Sequence, residues 1–390
     1  MQKKILMFIP VFPVLSETFI EREVDGLVRS RKVDVVVVAF RKTVDFRSKR
    51  AKGVTVYERL SITEAFKSLR FVFQRPARVL RAFRVLGLGH LYPFLKSVGY
   101  SQVFSKQNPD YIYSHFLSEP STIALGVSII LNVPLAISAH ARDVLEYPDL
   151  VKEKVRHAKF ITFCNRNALE KAKELAKGED TSKLKLTYHG IDISDLGSPN
   201  KISVKKPGKN FIFSIARLEE KKGIEYLIGA SQMLKERKVP HVIYVAGGGP
   251  LFETLDEEIR KLELQSNIVL LGSTPFEDVV QYLNLADYYV LPAINTESGD
   301  ADGIPNTLIE AALSKLPIVT TTAGSISEFL TSDNALIVAQ RHATGLADAL
   351  ETVINDRELG ESLSKKAFDK ALEMFNLENN ISELEDLFLN

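Results

Sequence analysis

Short apolar runs alternate with helical patterns along most of the chain. "KILMFIP", "VDVVVVAF", "GVTVYE", "DYIYSHF", "PLAISAH", "AKFITFC" and "KLKLTYHG" are compact, rich in β-branched and aromatic residues, and read as buried strands. Between them lie helical stretches such as "SETFIEREVDGLVR" and "STIALGVSIILN", the first with Ser16 and Thr18 available as caps. Such alternation predicts a parallel sheet covered by helices on both faces. Residues 197–210, "GSPNKISVKKPGKN", have no apolar period and read as a linker. The alternation then restarts with "FIFSIAR", "HVIYVAG", "NIVLLG", "ADYYVLP", "LPIVTT" and "ALIVA". The expected fold is therefore α/β, with two Rossmann-like doubly wound domains in tandem. Residues 1–196 and 211–372 would form the two domains, and 373–390 a C-terminal helix packing back toward the first. Ligands of such sheets bind outside the carboxyl ends of the strands, so two domains facing each other would hold their ligand in a cleft.

Composition narrows the class. The 390 residues are 45% hydrophobic and 25% charged, ordinary for a globular protein of two domains. One cysteine, Cys164, allows no disulfide within the chain and fits a reducing compartment. Two lysines precede the first apolar run, as in a signal peptide, but Pro10 and Pro13 break the run and Glu17 follows, so a first strand is expected. No apolar run reaches the 18 or so residues of a spanning helix. A cytoplasmic enzyme is expected, peripheral on the inner face of the plasma membrane. The net charge of +1 hides an asymmetry: residues 1–200 carry 32 Lys and Arg against 20 Asp and Glu (+12), and residues 201–390 carry 18 against 29 (−11). Residues 65–109 hold eight Lys and Arg and no acid, with Arg70, Arg75, Arg78, Arg81 and Arg84 interleaved with Phe and Leu. That segment is a basic face of an ordinary domain or a surface for anionic lipid. No nucleic-acid motif accompanies it.

Candidate chemistry gathers at strand ends. "RLEEKKG" follows the first strand of the second half, and Arg217 and Lys222 beside a helix start suit a diphosphate, or form a solvated charged turn. Gly247 to Gly249 follow the next strand without making a dinucleotide fingerprint; a tight turn or ligand contact would explain them. In "DADGIPNTLIEAA", residues 300–312, Asp302 lies in a loop, Pro305 sets the first turn of a helix, and Glu310 lies about two turns in. The helix start would offer the amides of Asn306 and Thr307 to an anion. Asp300, Asp302 and Glu297 make at most a weak cation site. In the first half, His140 and His115 end strands, Asp143 is near His140, and Ser16, Glu17 and Thr18 follow the first strand. No G-x-S-x-G supports a hydrolase.

"ARLEEKKG" resembles the R-L-x-x-x-K-G motif of glycosyltransferase family 4, and "DGIPNTLIE" is similar to that family's E-G-x-G-x-x-x-x-E segment. "YHGID", "GGGP" and "LLGSTPFEDVVQYLNLADYYVLPA" fall in the family's order, and "FPVLSETFI" resembles the opening of its exopolysaccharide subgroup, similar to colanic-acid and amylovoran enzymes. The resemblance implies a GT-B fold and transfer of a sugar, with retention, from a nucleotide-diphosphate donor, UDP-sugar favoured. The acceptor would be a glycan or a lipid-diphosphate-linked glycan, with no cofactor and no catalytic metal. Arg217 and Lys222 would hold the diphosphate, Glu310 the ribose, and Asp302 the sugar hydroxyls. Gly272 and Ser273 would lie beside the base, and Gly247, Gly303, Ile304, Pro305, Asn306 and Thr307 would line the donor. His140 would meet the sugar near the leaving oxygen, with Ser16, Glu17 and Thr18 close by. Asp302 stands where Glu is usual and Pro305 where a second Gly is usual. Two rivals remain: a nucleotide-sugar epimerase on the same plan, which needs no acceptor, and a silent nucleotide-sugar binding protein.

Overall fold

The computed structural model describes residues 2–14, 17–41, 55–57, 68, 71–140, 143–144, 148–197 and 204–390. Ser16, Arg70 and residues 198–203 of the expected linker lie outside the described residues. The chain forms two units, Met1–Gly190 with Leu377–Asn390, and Ile191–Asn376. Residues 191–196, expected with the first domain, and 373–376, expected with the C-terminal helix, belong to the second unit.

The first unit is built on seven parallel strands: β1 (Lys3–Val11), β2 (Val33–Arg41), β3 (Thr55–Tyr57), β4 (Tyr111–His115), β5 (Leu135–Ala139), β6 (Ala158–Phe163) and β7 (Leu184–Leu186). Their order is β3-β2-β1-β4-β5-β6-β7. Ile5 to Ile9 are all buried because both faces of the sheet are covered. The pleat sends Leu6 and Phe8 into one core and Ile5, Met7 and Ile9 into the other. Helices α1 (Thr18–Ser30), α2 (Pro76–Leu86), α3 (Leu91–Phe104), α4 (Glu119–Leu131), α5 (Val151–His157) and α6 (Arg166–Leu175) connect the strands. The α1 start has Glu17 at its cap position, with no side-chain capping bond.

The C-terminal helix, Leu377–Leu389, supplies Leu377, Ile381, Leu384 and Phe388 to the core of this first unit. The 4-3-4 spacing keeps the four on one face. The Phe388 ring meets Tyr111, Tyr113 and Phe160 edge-on, each at 5.2 Å. Gly26 on α1 permits the approach: a Cβ there would stand 2.6 Å from Ile381 Cγ1.

The second unit has six parallel strands: β8 (Phe211–Ile215), β9 (Val242–Ala246), β10 (Ile268–Gly272), β11 (Tyr288–Leu291), β12 (Ile318–Thr321) and β13 (Leu336–Val338). The order β10-β9-β8-β11-β12-β13 reverses direction between β8 and β11. In a doubly wound sheet this switch point opens a crevice at the carboxyl ends, where ligands sit. Helices α7 (Ile224–Glu236), α8 (Phe252–Lys261), α9 (Phe276–Leu285), α10 (Asn306–Leu313), α11 (Ala343–Asn355) and α12 (Arg357–Phe375) complete the unit.

Candidate active site

The loops leaving β8 and β11 meet at this switch point. After β8 comes a 3-10 turn, Glu220–Lys222, and Gly223 in the left-handed region (φ 63°) caps α7. A Cβ at Gly223 would lie 2.1 Å from the Pro292 carbonyl oxygen, so only glycine lets the β8 loop approach the exit of β11 this closely. The Ile294 amide donates to the Lys221 carbonyl at 2.9 Å and fastens the two loops.

This clasp brings the acidic loop to the lysines. Lys222 Nζ donates to Asp302 Oδ2 at 2.5 Å. Lys221 Nζ lies 3.0 Å from Asp300 Oδ1 and 3.7 Å from Asp302 Oδ1. Burial pulls the Lys221 amine down, but Asp302 and Asp300 outweigh it and hold the amine above its ordinary value. The Asp302 backbone packs closely against Gly324 (φ 56°), where a Cβ would stand 1.9 Å from the Asp302 carbonyl oxygen. Arg217 is exposed and pairs with Glu219 at 3.0 Å.

Pro305 occupies the cap position of α10, and the first helical residues are Asn306 and Thr307. Proline was expected inside the first turn; it precedes it, and it is buried while Gly303, Ile304, Asn306 and Thr307 are partly exposed. Glu310 lies one turn further, not two, and is buried on the helix face toward Tyr289. Burial pushes the Tyr289 phenol well up, with Thr307 as a hydrogen-bond partner. On the other side of β8, the Gly247 amide donates to the Gly272 carbonyl at 2.8 Å, which sets Gly247 beside Gly272 and the exposed Ser273. Gly247 (φ 136°) could carry no side chain, since a Cβ would meet the Ala216 carbonyl oxygen at 2.0 Å. It is a tight turn.

The first unit places His140 in a row of stacked imidazoles. His115 and His140 have centroids 5.7 Å apart, and His140 and His189 4.9 Å apart. His115 Nδ1 lies 3.4 Å from His140 Nε2, and His140 Nδ1 lies 3.1 Å from His189 Nε2. At the buried end, Glu23 Oε1 lies 3.1 Å from His115 Nε2 and accepts from the Tyr113 hydroxyl at 2.8 Å. Burial pushes the Glu23 carboxyl up, but His115 and Tyr113 outweigh it and hold it below its ordinary value. Burial also drives His140 well below its ordinary value and His189 down to about 4. With His140 and His189 neutral, their Nε2–H groups can point along the row, from His189 to His140 Nδ1 and from His140 to His115 Nδ1. Both ring nitrogens of His140 are then engaged within the unit.

Asp143 accepts from the backbone amides of His140, at 2.8 Å, and of Leu117, tying the β5 and β4 ends together. Burial pushes its carboxyl up to about 7. Glu17 and Thr18 sit partly exposed at the start of α1, and burial raises the Glu17 carboxyl. His140, Cys164 and His189 offer ligand atoms within 4.8 Å of one another and could hold a soft divalent ion. Sequence reasoning assigned no role to Lys221, Glu23 or His189. Lys221 stood beside the motif lysine, and His189 lay inside a quoted motif.

The model for the family described as glycosyl transferases group 1 matches residues 199–370. The second unit is a glycosyl transferase group 1 domain. Relatives over about half the chain agree. The protein named as the colanic acid biosynthesis glycosyltransferase WcaL of Salmonella typhimurium is 32% identical over 197 residues, 50% of this chain and 48% of that one. The amylovoran biosynthesis glycosyltransferase AmsK of Erwinia amylovora is 32% identical over 158 residues, 40% of this chain and 38% of that one. The chain thus spans half or less of the length of these relatives. Among solved structures, Anabaena HepE in complex with UDP and glucose matches 99% of both chains with a TM-score of 0.73 at 18% identity. The sucrose-phosphate synthase of Thermosynechococcus elongatus matches 100% of this chain and 98% of its own with a TM-score of 0.71 at 14% identity. The fold around the group 1 domain is the expected GT-B fold. None of the described helices is long and apolar enough to cross a membrane.

Proposed function

We propose that the chain is a retaining glycosyltransferase that takes a sugar from a nucleotide-diphosphate donor, UDP-sugar favoured, and delivers it to a hydroxyl of a glycan or lipid-diphosphate-linked glycan in surface polysaccharide synthesis. The observation that carries this reading is the convergence of Lys222, Asp302 and the α10 start at the switch point of a group 1 domain. Lys222, Arg217 and the first amides of α10 supply positive charge where a diphosphate leaves. Asp302 meets the sugar hydroxyls and Glu310 the ribose. The leaving phosphate takes the proton of the attacking hydroxyl. No metal enters this account, because lysines supply the charge a cation would. The names of WcaL and AmsK and the UDP bound by HepE favour a transferase over an epimerase or a silent binder. A thermal-shift panel of UDP, GDP, ADP, CMP and NAD tests the donor class. One nucleoside diphosphate should stabilise the protein by about 2.7 kcal/mol at a hundredfold excess over its Kd. No shift with any of them would remove the reading.

The acceptor reading includes an anionic lipid surface. Among the described residues, six of the eight large apolar side chains that stand exposed fall between residues 73 and 95: Phe73, Leu80, Leu88, Leu91, Tyr92 and Leu95. Phe73 is 84% and Leu88 79% exposed, far beyond what a solvated helix face needs. Arg78, Arg81 and Arg84 are exposed beside them on α2. Apolar side chains flanked by arginines suit the headgroup boundary of an anionic bilayer.

A further inference from the structure

Asp302 is held by two consecutive lysines on two different oxygens. Lys222 takes Oδ2 at 2.5 Å, and Lys221 stands 3.7 Å from Oδ1. The two lysines are not equivalent. Lys221 is anchored by Asp300 at 3.0 Å, and its carbonyl receives the Ile294 amide, so both ends of the residue are tied to the acidic loop. Lys222 has Asp302 as its one ion-pair partner among the described residues. A diphosphate arriving at the switch point therefore draws Lys222 away from Asp302. The carboxylate, only 16% exposed, would lose its nearest cation at the moment it must face the sugar.

We infer that Lys221 is a positioning residue for the donor sugar: it keeps hold of Asp302 Oδ1 while Lys222 turns to the diphosphate, and so leaves Oδ2 ionised, oriented and free to accept from a sugar hydroxyl. This rests on the reading of the second unit as a nucleotide-diphosphate-sugar site. Lys221 cannot itself follow the phosphate without giving up Asp300. The lysine touches neither sugar nor phosphate and acts through Asp302. The ligand feature it serves is a vicinal or single hydroxyl of the transferred sugar.

The test is calorimetry with paired ligands, UDP against UDP-glucose, UDP-galactose and UDP-N-acetylglucosamine, and GDP against GDP-mannose. The quantity read is the ratio of sugar-nucleotide to free-nucleotide dissociation constants. Lys221→Met should raise that ratio about tenfold for the preferred sugar, the size of one lost charge-assisted hydrogen bond. Lys221→Arg should recover part of it. Lys222→Met should weaken both ligands of a pair together and leave their ratio near that of the wild type. Because Lys221 acts through Asp302, Lys221→Met should add nothing to Asp302→Ala, whereas independent effects would add. A Lys221→Met protein that weakens both ligands equally would make Lys221 a phosphate ligand, and one that weakens neither would make it a surface tie; either overturns the inference. A wild-type protein that binds no nucleoside diphosphate of the thermal-shift panel overturns the donor reading itself.

Discussion

Lys222 Nζ and Asp302 Oδ2 lie 2.5 Å apart across 80 residues of sequence. The cation assigned to the phosphates and the carboxylate assigned to the sugar are thus each other's partners before any ligand arrives. In the proposed mechanism a donor parts them, Lys222 turning to the diphosphate and Asp302 to the sugar. The pair also keeps two charged groups of 15% and 16% exposure from standing unpaired in a low-dielectric crevice.

The proposed mechanism expects no catalytic metal, and the same loop is the reason. Asp300 and Asp302, the carboxylates a cation would need, are already paired with Lys221 and Lys222. Turnover measured as nucleotide release should be the same with and without EDTA. Loss of rate in EDTA that Mg²⁺ or Mn²⁺ restores would contradict the assignment.

The basic, apolar face of α2 and the following turn should bind lipid. Reversing Arg78, Arg81 and Arg84 to Glu should reduce co-sedimentation with phosphatidylglycerol vesicles, since each such residue contributes about 1 kcal/mol near an anionic surface. Wild-type binding should also fade with salt. Leu88→Ser with Leu91→Ser should weaken binding in a salt-independent way. Equal partition of all three proteins would contradict the surface.

Acid should unsettle the histidine row. His189 titrates near 4 in the folded chain and near 6.5 when unfolded. Between those values the unfolded ring takes a proton that the folded ring refuses, so stability falls as pH drops from 6.5 to 4. The slope is about 1.4 kcal/mol per pH unit for this ring. His140, lowered in the same sense, adds to it. Asp143, raised to about 7, works the other way across this whole window: its contribution is greatest at low pH and is lost as pH rises toward 7. A His189→Gln variant should therefore lose less stability than the wild type on acidification from 6.5 to 4, in thermal unfolding followed by circular dichroism. Parallel profiles would contradict the buried, neutral assignment.

What the sequence made legible was what local pattern controls. β1 reads as a strand because Ile5 to Ile9 are apolar on both faces, and strand–helix alternation predicts two parallel sheets but not the strand order that makes the switch point. Asp302 and Glu310 could be singled out because a loop, a proline and a helix start fix their places. Pro305 was misplaced by one position because its fixed φ suits a cap residue as well as a first helical one. The Glu23–His115–His140–His189 row was not legible. Its members lie on α1, at the ends of β4 and β5, and after β7, and nothing in local spacing says that the sheet order makes these neighbours. The grip of Lys221 on Asp300 and Asp302 depends on the clasp at Gly223, a tertiary contact of the same kind. The exposed apolar cluster could not be told from core positions, since Leu88 and Leu91 carry no sequence mark that distinguishes them from Leu86.

The most direct test of the central claim is calorimetry of the free nucleoside diphosphate, identified by the thermal-shift panel, with three variants. Glu310→Ala should weaken binding about ten- to a hundredfold, the cost of a charged hydrogen bond to the ribose, and Lys222→Ala should do the same through the diphosphate. Asp302→Ala should not weaken it and should tighten it if anything, because removing Asp302 releases Lys222; its defect should show instead in turnover of the intact sugar nucleotide. Loss of free-nucleotide binding in Asp302→Ala, with Glu310→Ala unaffected, would contradict the assignment of both carboxylates and with it the placement of the donor.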